Sequence, residues 1–273
     1  MPSGTRRLAP EATRTERYGD HLFRLDEPEH RRLRLLGEVF DPLTFRCLAS
    51  APIPPGARCL DVGTGAGSVA RWLSRRLPDG EVVATDLAPE LLGPPAERNL
   101  TVLRHDVTVD PFPDGSFDLI HVRFVLSHLP RRRQILHQMA RWLRPGGRLV
   151  LGSFGWFPLD SSPHEDYRQA MDAHCRLTRD RIGTDARWSR SHPLPLRAAG
   201  LDRLGVETAV PQLQGGNAVA DFWRRTLAAA GPALLDGGYL TEDALTAALD
   251  RLQDPGFWDL SPAFVQSWGY RPR

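Results

Sequence analysis

Cys59-Leu60-Asp61-Val62-Gly63-Thr64-Gly65-Ala66-Gly67, followed by an amphipathic run and then by Val82-Val83-Ala84-Thr85-Asp86, decides the fold of this chain. A short apolar strand ends in a carboxylate, three glycines follow at alternate positions, a helix intervenes, and a second strand ends in another carboxylate. That order opens a βαβ unit of the kind that binds a nucleoside. Glycine at 63, 65 and 67 lets the main chain take positive φ and lets a flat ligand approach without meeting a Cβ. Asp86 lies 19 residues beyond Gly67, where a strand-end carboxylate accepts hydrogen bonds from ribose hydroxyls.

The glycine register narrows the ligand. Dinucleotide folds use G-x-G-x-x-G/A, in which the third small residue allows close helix packing while the helix N-terminus faces a pyrophosphate. Here the register is G-x-G-x-G, and Ser68 stands at the place of that third residue. A carboxylate at Asp61 would repel a phosphate and suits an ammonium group. An NAD-dependent oxidoreductase, whose fold begins alike, and a non-catalytic binding or regulatory protein that retains the nucleoside pocket are the competing readings.

With Asp61 opening the loop, the stretch resembles motif I of the class I S-adenosylmethionine-dependent methyltransferases. Later segments extend the resemblance in order along the chain. Leu103-Arg104-His105-Asp106-Val107 resembles the end of the family's third strand, and Pro113-Asp114-Gly115-Ser116-Phe117-Asp118-Leu119-Ile120 the entry to its fourth. Phe124-Val125-Leu126-Ser127-His128-Leu129 is similar to the helix behind that strand, and Leu143-Arg144-Pro145-Gly146-Gly147-Arg148-Leu149-Val150 to the turn into the fifth. The resemblance implies an α/β fold: a Rossmann-like, doubly wound, seven-stranded sheet, mostly parallel with an antiparallel last strand, carrying N-terminal and inserted helical caps. It divides the chain into an N-terminal helical lid at 1–50 and a methyltransferase domain at 51–273, with acceptor-covering helices at about 155–200 and 211–257.

Periodicity agrees with that plan. Leu33, Leu36, Val39 and Phe40 recur at helical spacing, and Asp41-Pro42 reads as an N-cap and first residue opening a second short helix to Ser50. Strands are expected at 58–63, 81–86, 100–106, 117–122 and 148–154, with helices at 67–77 and 130–143. Beyond 155, helices are expected at 163–178, 217–230 and 241–252, and strands near 202–210 and 262–270. Strands alternating with helices place all parallel strand C-termini at one edge, where the ligand sits.

Composition excludes several chemistries. All 35 basic residues are arginine, which removes a Walker A loop, a pyridoxal-phosphate Schiff base and every lysine nucleophile. A net charge of +2, with acids interspersed among the arginines, gives little drive toward nucleic acid. Three cysteines, Cys47, Cys59 and Cys175, match neither a zinc site nor a disulfide framework, and the nine histidines form no His-Glu-x-x-His, so no metal is expected. No apolar run approaches the ~18 residues that span a bilayer, and the N-terminus shows no signal-peptide core. The expectation is a cytoplasmic protein whose partner is a small molecule, with a homodimer allowed.

The family resemblance assigns the cofactor, S-adenosylmethionine, to named residues. Asp61, Gly63, Thr64 and Gly65 fall at the methionine end, Asp86 at the ribose, and Leu87, Asp106 and Val107 at the adenine. Arg123 follows the fourth strand within reach of the donor's methionine end or of an acidic acceptor; alternatively it is a surface residue. His128 is the candidate base and Tyr18 the candidate for orienting acceptor or sulfonium, each reading alternatively as a packing residue. Five of the seven tryptophans, Trp156, Trp188, Trp223, Trp258 and Trp268, and the helical face His164-Tyr167-Met171-His174 could line a pocket for a flat acceptor or could be core. Arg131-Arg132-Arg133 reads as a solvated helix start. The helical prelude and the sequence beyond 155 resemble bacterial small-molecule methyltransferases of secondary metabolism. That finer likeness implies an aromatic natural-product acceptor, with ring carbon or nitrogen favoured over the oxygen of a phenolic or polyketide-like compound.

Overall fold

The computed structural model describes residues 22, 23 and 26–273; Tyr18 lies outside them. A 23-residue helix, α1 (Glu27–Ala49), comes first. Asp26 caps it, its carboxylate accepting from the Glu29 amide at 3.0 Å, and Pro28 sits in the first turn, where a missing N–H costs nothing. The expected break at Asp41-Pro42 does not occur: Pro42 lies inside one continuous helix. An interior proline loses a hydrogen bond and crowds the preceding turn, at a cost of about 3 kcal/mol. Complete burial of Phe40, Thr44, Cys47 and Leu48 on both sides of it offsets that cost. Asp41 is therefore no cap, and its carboxylate is free to reach across to the sheet.

The elements then run β1 (Arg58–Val62), α2 (Ser68–Arg76), β2 (Glu81–Asp86), β3 (Leu100–Arg104), β4 (Phe117–Arg123), α3 (Arg132–Trp142) and β5 (Leu143–Gly155). After these come α4 (Glu165–Ile182), α5 (Pro193–Ala198), β6 (Asp202–Ala209), β7 (Gln212–Gln214), α6 (Ala218–Asp236), α7 (Glu242–Arg251), β8 (Trp258–Leu260) and β9 (Ala263–Tyr270). Seven strands form one sheet in the order β3-β2-β1-β4-β5-β9-β6. The first five are parallel, and β9 runs antiparallel to both of its neighbours, so the expected seven-stranded Rossmann-like sheet is present.

Alternation along the strands sorts the core. Leu60, Val62, Ile120 and Val122 face α3 and α5, while Cys59, Leu119 and Val150 face α2 and the C-terminal half of α1. Parallel strands covered on both faces explain why β1 and β4 are buried along nearly their whole length, Asp61 and His121 included. A third core, built around Phe40, Tyr167, Met171 and Trp223, joins α1 to α4, α6 and α7 and roofs the C-terminal edge of the sheet.

Three further expectations are corrected. Phe124–Leu129 does not form a helix; a single tight turn, Leu126–His128, follows β4, and α3 begins only at Arg132. Phe124 has φ of 58°, and this left-handed residue directs the chain sharply away from β4. The cap helix expected at 217–230, α6, continues to Asp236 with Pro232 inside it, and the small β7–β8 ribbon is an addition to the expected elements. Finally, Arg132 is not solvated. It bonds Asp185 at 2.9 Å and the carbonyls of Leu126, Ser127 and Gly183, stitching the start of α3 to the segment after α4.

Candidate functional site

The loop after β1 is fixed from below by β2. The Thr85 carbonyl accepts from the amides of Gly63 (2.8 Å) and Thr64 (3.0 Å), which turns the chain back over the sheet edge. Gly63 has φ of 67°, and a Cβ there would stand 2.2 Å from Val125 Cγ2, so the first glycine is required by packing. Gly65, with φ of 53°, differs: a Cβ on it would meet nothing within 4 Å and would project into open space. The middle glycine thus leaves room for a ligand, whereas the first makes room for the protein.

Asp86 sits beside that loop. Its Oδ2 accepts from the Gly65 amide at 2.8 Å and its Oδ1 from the Ala88 amide at 3.0 Å, so both strand-end turns are organised around one carboxylate. Leu87 is 46% exposed, and it lines the same cavity as Asp86, Asp106 and Val107. Asp106 closes an Asx turn, its Oδ1 accepting from the Thr108 amide (2.9 Å) and hydroxyl (2.6 Å).

Two of the expected cofactor residues are engaged with other protein groups. Asp61 is buried behind the loop and is not part of the cavity wall; Oδ1 meets His121 Nδ1 at 2.7 Å and Oδ2 accepts from the Thr64 hydroxyl at 2.7 Å. Its visible work is to hold Thr64, which does line the cavity. Alternation along β1 and β4 dictates this, because Asp61 and His121 are register partners on the face that α2 covers. Arg123 lines the cavity, but its guanidinium is engaged with α1, donating to Asp41 Oδ1 and Thr44 Oγ1, both at 2.8 Å.

From the loop the cavity continues under the cap, with a volume of about 570 Å³. Its far end is walled by Phe124, Phe154, Trp156, Phe222 and Trp223. Of the five tryptophans beyond residue 155, Trp156 and Trp223 reach the cavity, whereas Trp188 is core, Trp258 is exposed and Trp268 packs against Arg148. The α4 face also divides, since Tyr167 and Met171 are fully buried in the cap core and only His174 faces the cavity.

His128 is at the junction of the two ends. Its Nδ1 lies 2.8 Å from Thr184 Oγ1. Burial first, then the nearby Arg32 and Arg132 guanidinium groups, press its imidazole down to a pKa of about 4. It is therefore neutral at pH 7 and able to accept a proton, though as a weaker base than an ordinary histidine. Arg32 is itself held by Glu29, with both guanidinium contacts at 2.7 Å, and stacks over Phe23 at 4.8 Å. Cys47 and Cys59, with thiols raised by burial to about 11 and 12, are not nucleophiles. Among the described residues no cluster of acids, histidines or cysteines could hold a metal ion, and no helix is long and apolar enough to cross a membrane.

His121, Asp41, Glu29 and Arg32 are the residues sequence reasoning missed. Asp26-x-x-Glu29 ahead of an apolar run is a capping signal that could have placed α1, but nothing local marks the pairing of Asp61 with His121, 60 positions apart.

Comparison with known proteins gives consistent matches. The family model of the methyltransferase domain matches residues 60–151. The chain is 37% identical over 121 residues to the ubiquinone/menaquinone biosynthesis C-methyltransferase UbiE of Laribacter hongkongensis, covering 41% of this chain and 50% of that protein. It is 39% identical over 103 residues to the demethylmenaquinone methyltransferase of Thermus thermophilus, covering 36% and 47%. The chain spans about half the length of the curated relatives it matches. Among solved structures, the YcgJ protein of Bacillus subtilis superposes with a TM-score of 0.58 at 18% identity, covering 89% of this chain and 99% of that one. Phosphoethanolamine N-methyltransferase 2 of Haemonchus contortus superposes with a TM-score of 0.53 at 17% identity, covering 89% and 52%.

Proposed function

We propose that this chain, whose residues 60–151 match the methyltransferase-domain model and lie in a Rossmann-like sheet, transfers a methyl group from S-adenosylmethionine to a small aromatic acceptor, ring carbon or nitrogen being favoured over oxygen. The observation that carries the reading is the continuity of one cavity from the glycine loop and Asp86 to an aromatic chamber under the cap. The residues present fit the donor: open space over Gly65 admits a ligand against the main chain, and Asp86 stands beside it. When bound, the donor supplies an electrophilic methyl on a sulfonium.

In this reading Gly63, Thr64 and Gly65 hold the methionine end, Asp86 the ribose, and Leu87, Asp106 and Val107 the adenine. Asp61 acts through Thr64, and Arg123 acts by holding α1 rather than by touching the donor. Residues 1–50 serve as a lid and the helices at about 155–200 and 211–257 as the acceptor cover. The chain's main catalytic contribution is placement, since holding two reactants in near-attack geometry removes roughly 7–11 kcal/mol of barrier. The aromatic chamber excludes water, which favours a reaction in which a cationic centre becomes neutral. His128 receives the proton that the acceptor loses, and Tyr18 orients the acceptor.

Two measurements test this. S-adenosylhomocysteine should raise the melting temperature, and methyl-labelled donor should transfer its label to a member of an indole and phenol panel. An unchanged melting curve would remove the donor site, and a melting shift without label transfer to any acceptor would leave a nucleoside-binding protein instead.

A further inference from the structure

One polar side chain in the wall of the aromatic chamber has surroundings that specify more about the ligand. His174 on α4 is 6% exposed and faces the cavity, its ring 5.9 Å from that of Phe23 and 6.0 Å from that of Trp156. Its Nδ1 is buried and has no hydrogen-bond partner among the described residues. A buried polar group left so costs about 1–3 kcal/mol. Nearby hydroxyls do not relieve it: Thr178 Oγ1 donates to the His174 carbonyl at 3.0 Å and Thr226 Oγ1 to the Phe222 carbonyl at 2.8 Å. Burial and the Arg32 guanidinium keep the imidazole neutral, so it presents a dipole and not a charge.

The charges around the cavity set the other half of the specification. Among the described residues, each of the three arginines that line it faces an acid: Arg32 meets Glu29 at 2.7 Å, Arg104 meets Glu90 at 2.8 Å, and Arg123 meets Asp41 at 2.8 Å. An acidic acceptor would have to break one of these pairs to gain a partner, and the flat faces of Trp156, Phe222 and Trp223 offer it nothing in return. A neutral ring loses little by entering.

Resting on the functional reading above, we propose that His174 is an acceptor-binding residue: its ring, turning to bring the unpartnered Nδ1 onto the cavity that the residue lines, takes a hydrogen bond from the hydroxyl or ring N–H of a flat, uncharged aromatic acceptor. The residue then selects for acceptors with a hydrogen-bond donor and fixes which ring edge enters the chamber. A donorless hydrocarbon of the same shape would leave Nδ1 as it is, and would bind less tightly.

The test uses the full chain with S-adenosylhomocysteine present and two probe pairs, indole against benzothiophene and 2-naphthol against naphthalene, with dissociation constants measured by calorimetry. In the wild type the donor-bearing member of at least one pair should bind about fivefold to tenfold more tightly, the worth of one hydrogen bond. His174→Phe should erase that preference while binding the donorless member as the wild type does. His174→Asn, which places an amide oxygen near the same point, should restore part of it and serves as the comparison if the phenylalanine variant does not fold. No preference in the wild type, no binding of either pair, or an undiminished preference in both variants overturns the proposal. The melting shift with S-adenosylhomocysteine, read on the same samples, separates the two readings: its absence in wild type removes the donor site itself, whereas its presence in a variant shows the fold and donor site intact.

Discussion

Asp41 Oδ1 accepts from Arg123 Nη2 at 2.8 Å, joining the middle of α1 to the last residue of β4. The same oxygen accepts from the Ser68 hydroxyl at 3.1 Å, on the first residue of α2. One carboxylate thus ties the cap helix, the sheet edge and the helix behind the glycine loop together. Asp41→Asn should lower stability by about 3 kcal/mol, because removing one partner leaves the buried guanidinium uncompensated. The double variant Asp41→Leu with Arg123→Met should recover more than half of that loss. Urea midpoints give both values, and an Asp41→Asn midpoint equal to wild type would contradict the assignment.

Gly63 and Gly65 should respond differently to alanine although they are two residues apart. At Gly63 the added carbon collides with Val125 and adopts unfavourable φ, so about 3 kcal/mol of stability should be lost. At Gly65 only the conformational cost of about 1 kcal/mol applies, because the space beyond is open. Binding of S-adenosylhomocysteine should nevertheless fail in Gly65→Ala, since the methyl projects where the ligand must approach. A Gly65→Ala protein that binds normally would move the ligand away from this loop.

Asp86→Ala should abolish the ligand-induced rise in melting temperature, a stabilisation of about 2.7 kcal/mol at a hundredfold excess over the dissociation constant. Asp86→Asn keeps one acceptor oxygen for the Gly65 or Ala88 amide and should retain a smaller rise. Equal shifts in wild type and Asp86→Ala would disprove the ribose contact.

Three buried histidines should make the protein acid-labile. His128 is lowered to about 4, and His174 and His192 to about 3, in each case chiefly by burial. Their folded values lie below the unfolded value of about 6.5, so between pH 6.5 and 4 the unfolded chain takes up protons that the folded chain refuses. Stability is full above pH 6.5 and falls with acidity, by about 1.4 kcal/mol per pH unit for each group. His192→Asn, outside the cavity, should flatten the dependence of the urea midpoint on pH between 7 and 5. A slope unchanged by that substitution would show that His192 protonates freely in the folded state.

His128→Ala should lower turnover about a hundredfold or more while leaving the melting shift with S-adenosylhomocysteine in place, the pattern of a proton acceptor that does not hold the donor. Loss of the melting shift along with activity would make it a structural residue of the turn after β4.

The chain by itself determined the βαβ opening, the places of the seven sheet strands and the position of Asp86, because strand alternation, glycine spacing and strand-end acids are local properties that survive as sequence pattern. It could not determine that α1 and α6 run through Pro42 and Pro232, since local propensity breaks a helix there and only burial against distant segments carries it on. Nor could it separate Thr64, on the cavity wall, from Asp61 behind it, or direct Arg123 toward Asp41 instead of the ligand. Those outcomes depend on which face of the sheet a side chain occupies and on what lies opposite it 60 to 82 residues away. The folded arrangement alone decided that His174, one of four residues on a promising helical face, is the one that meets the cavity.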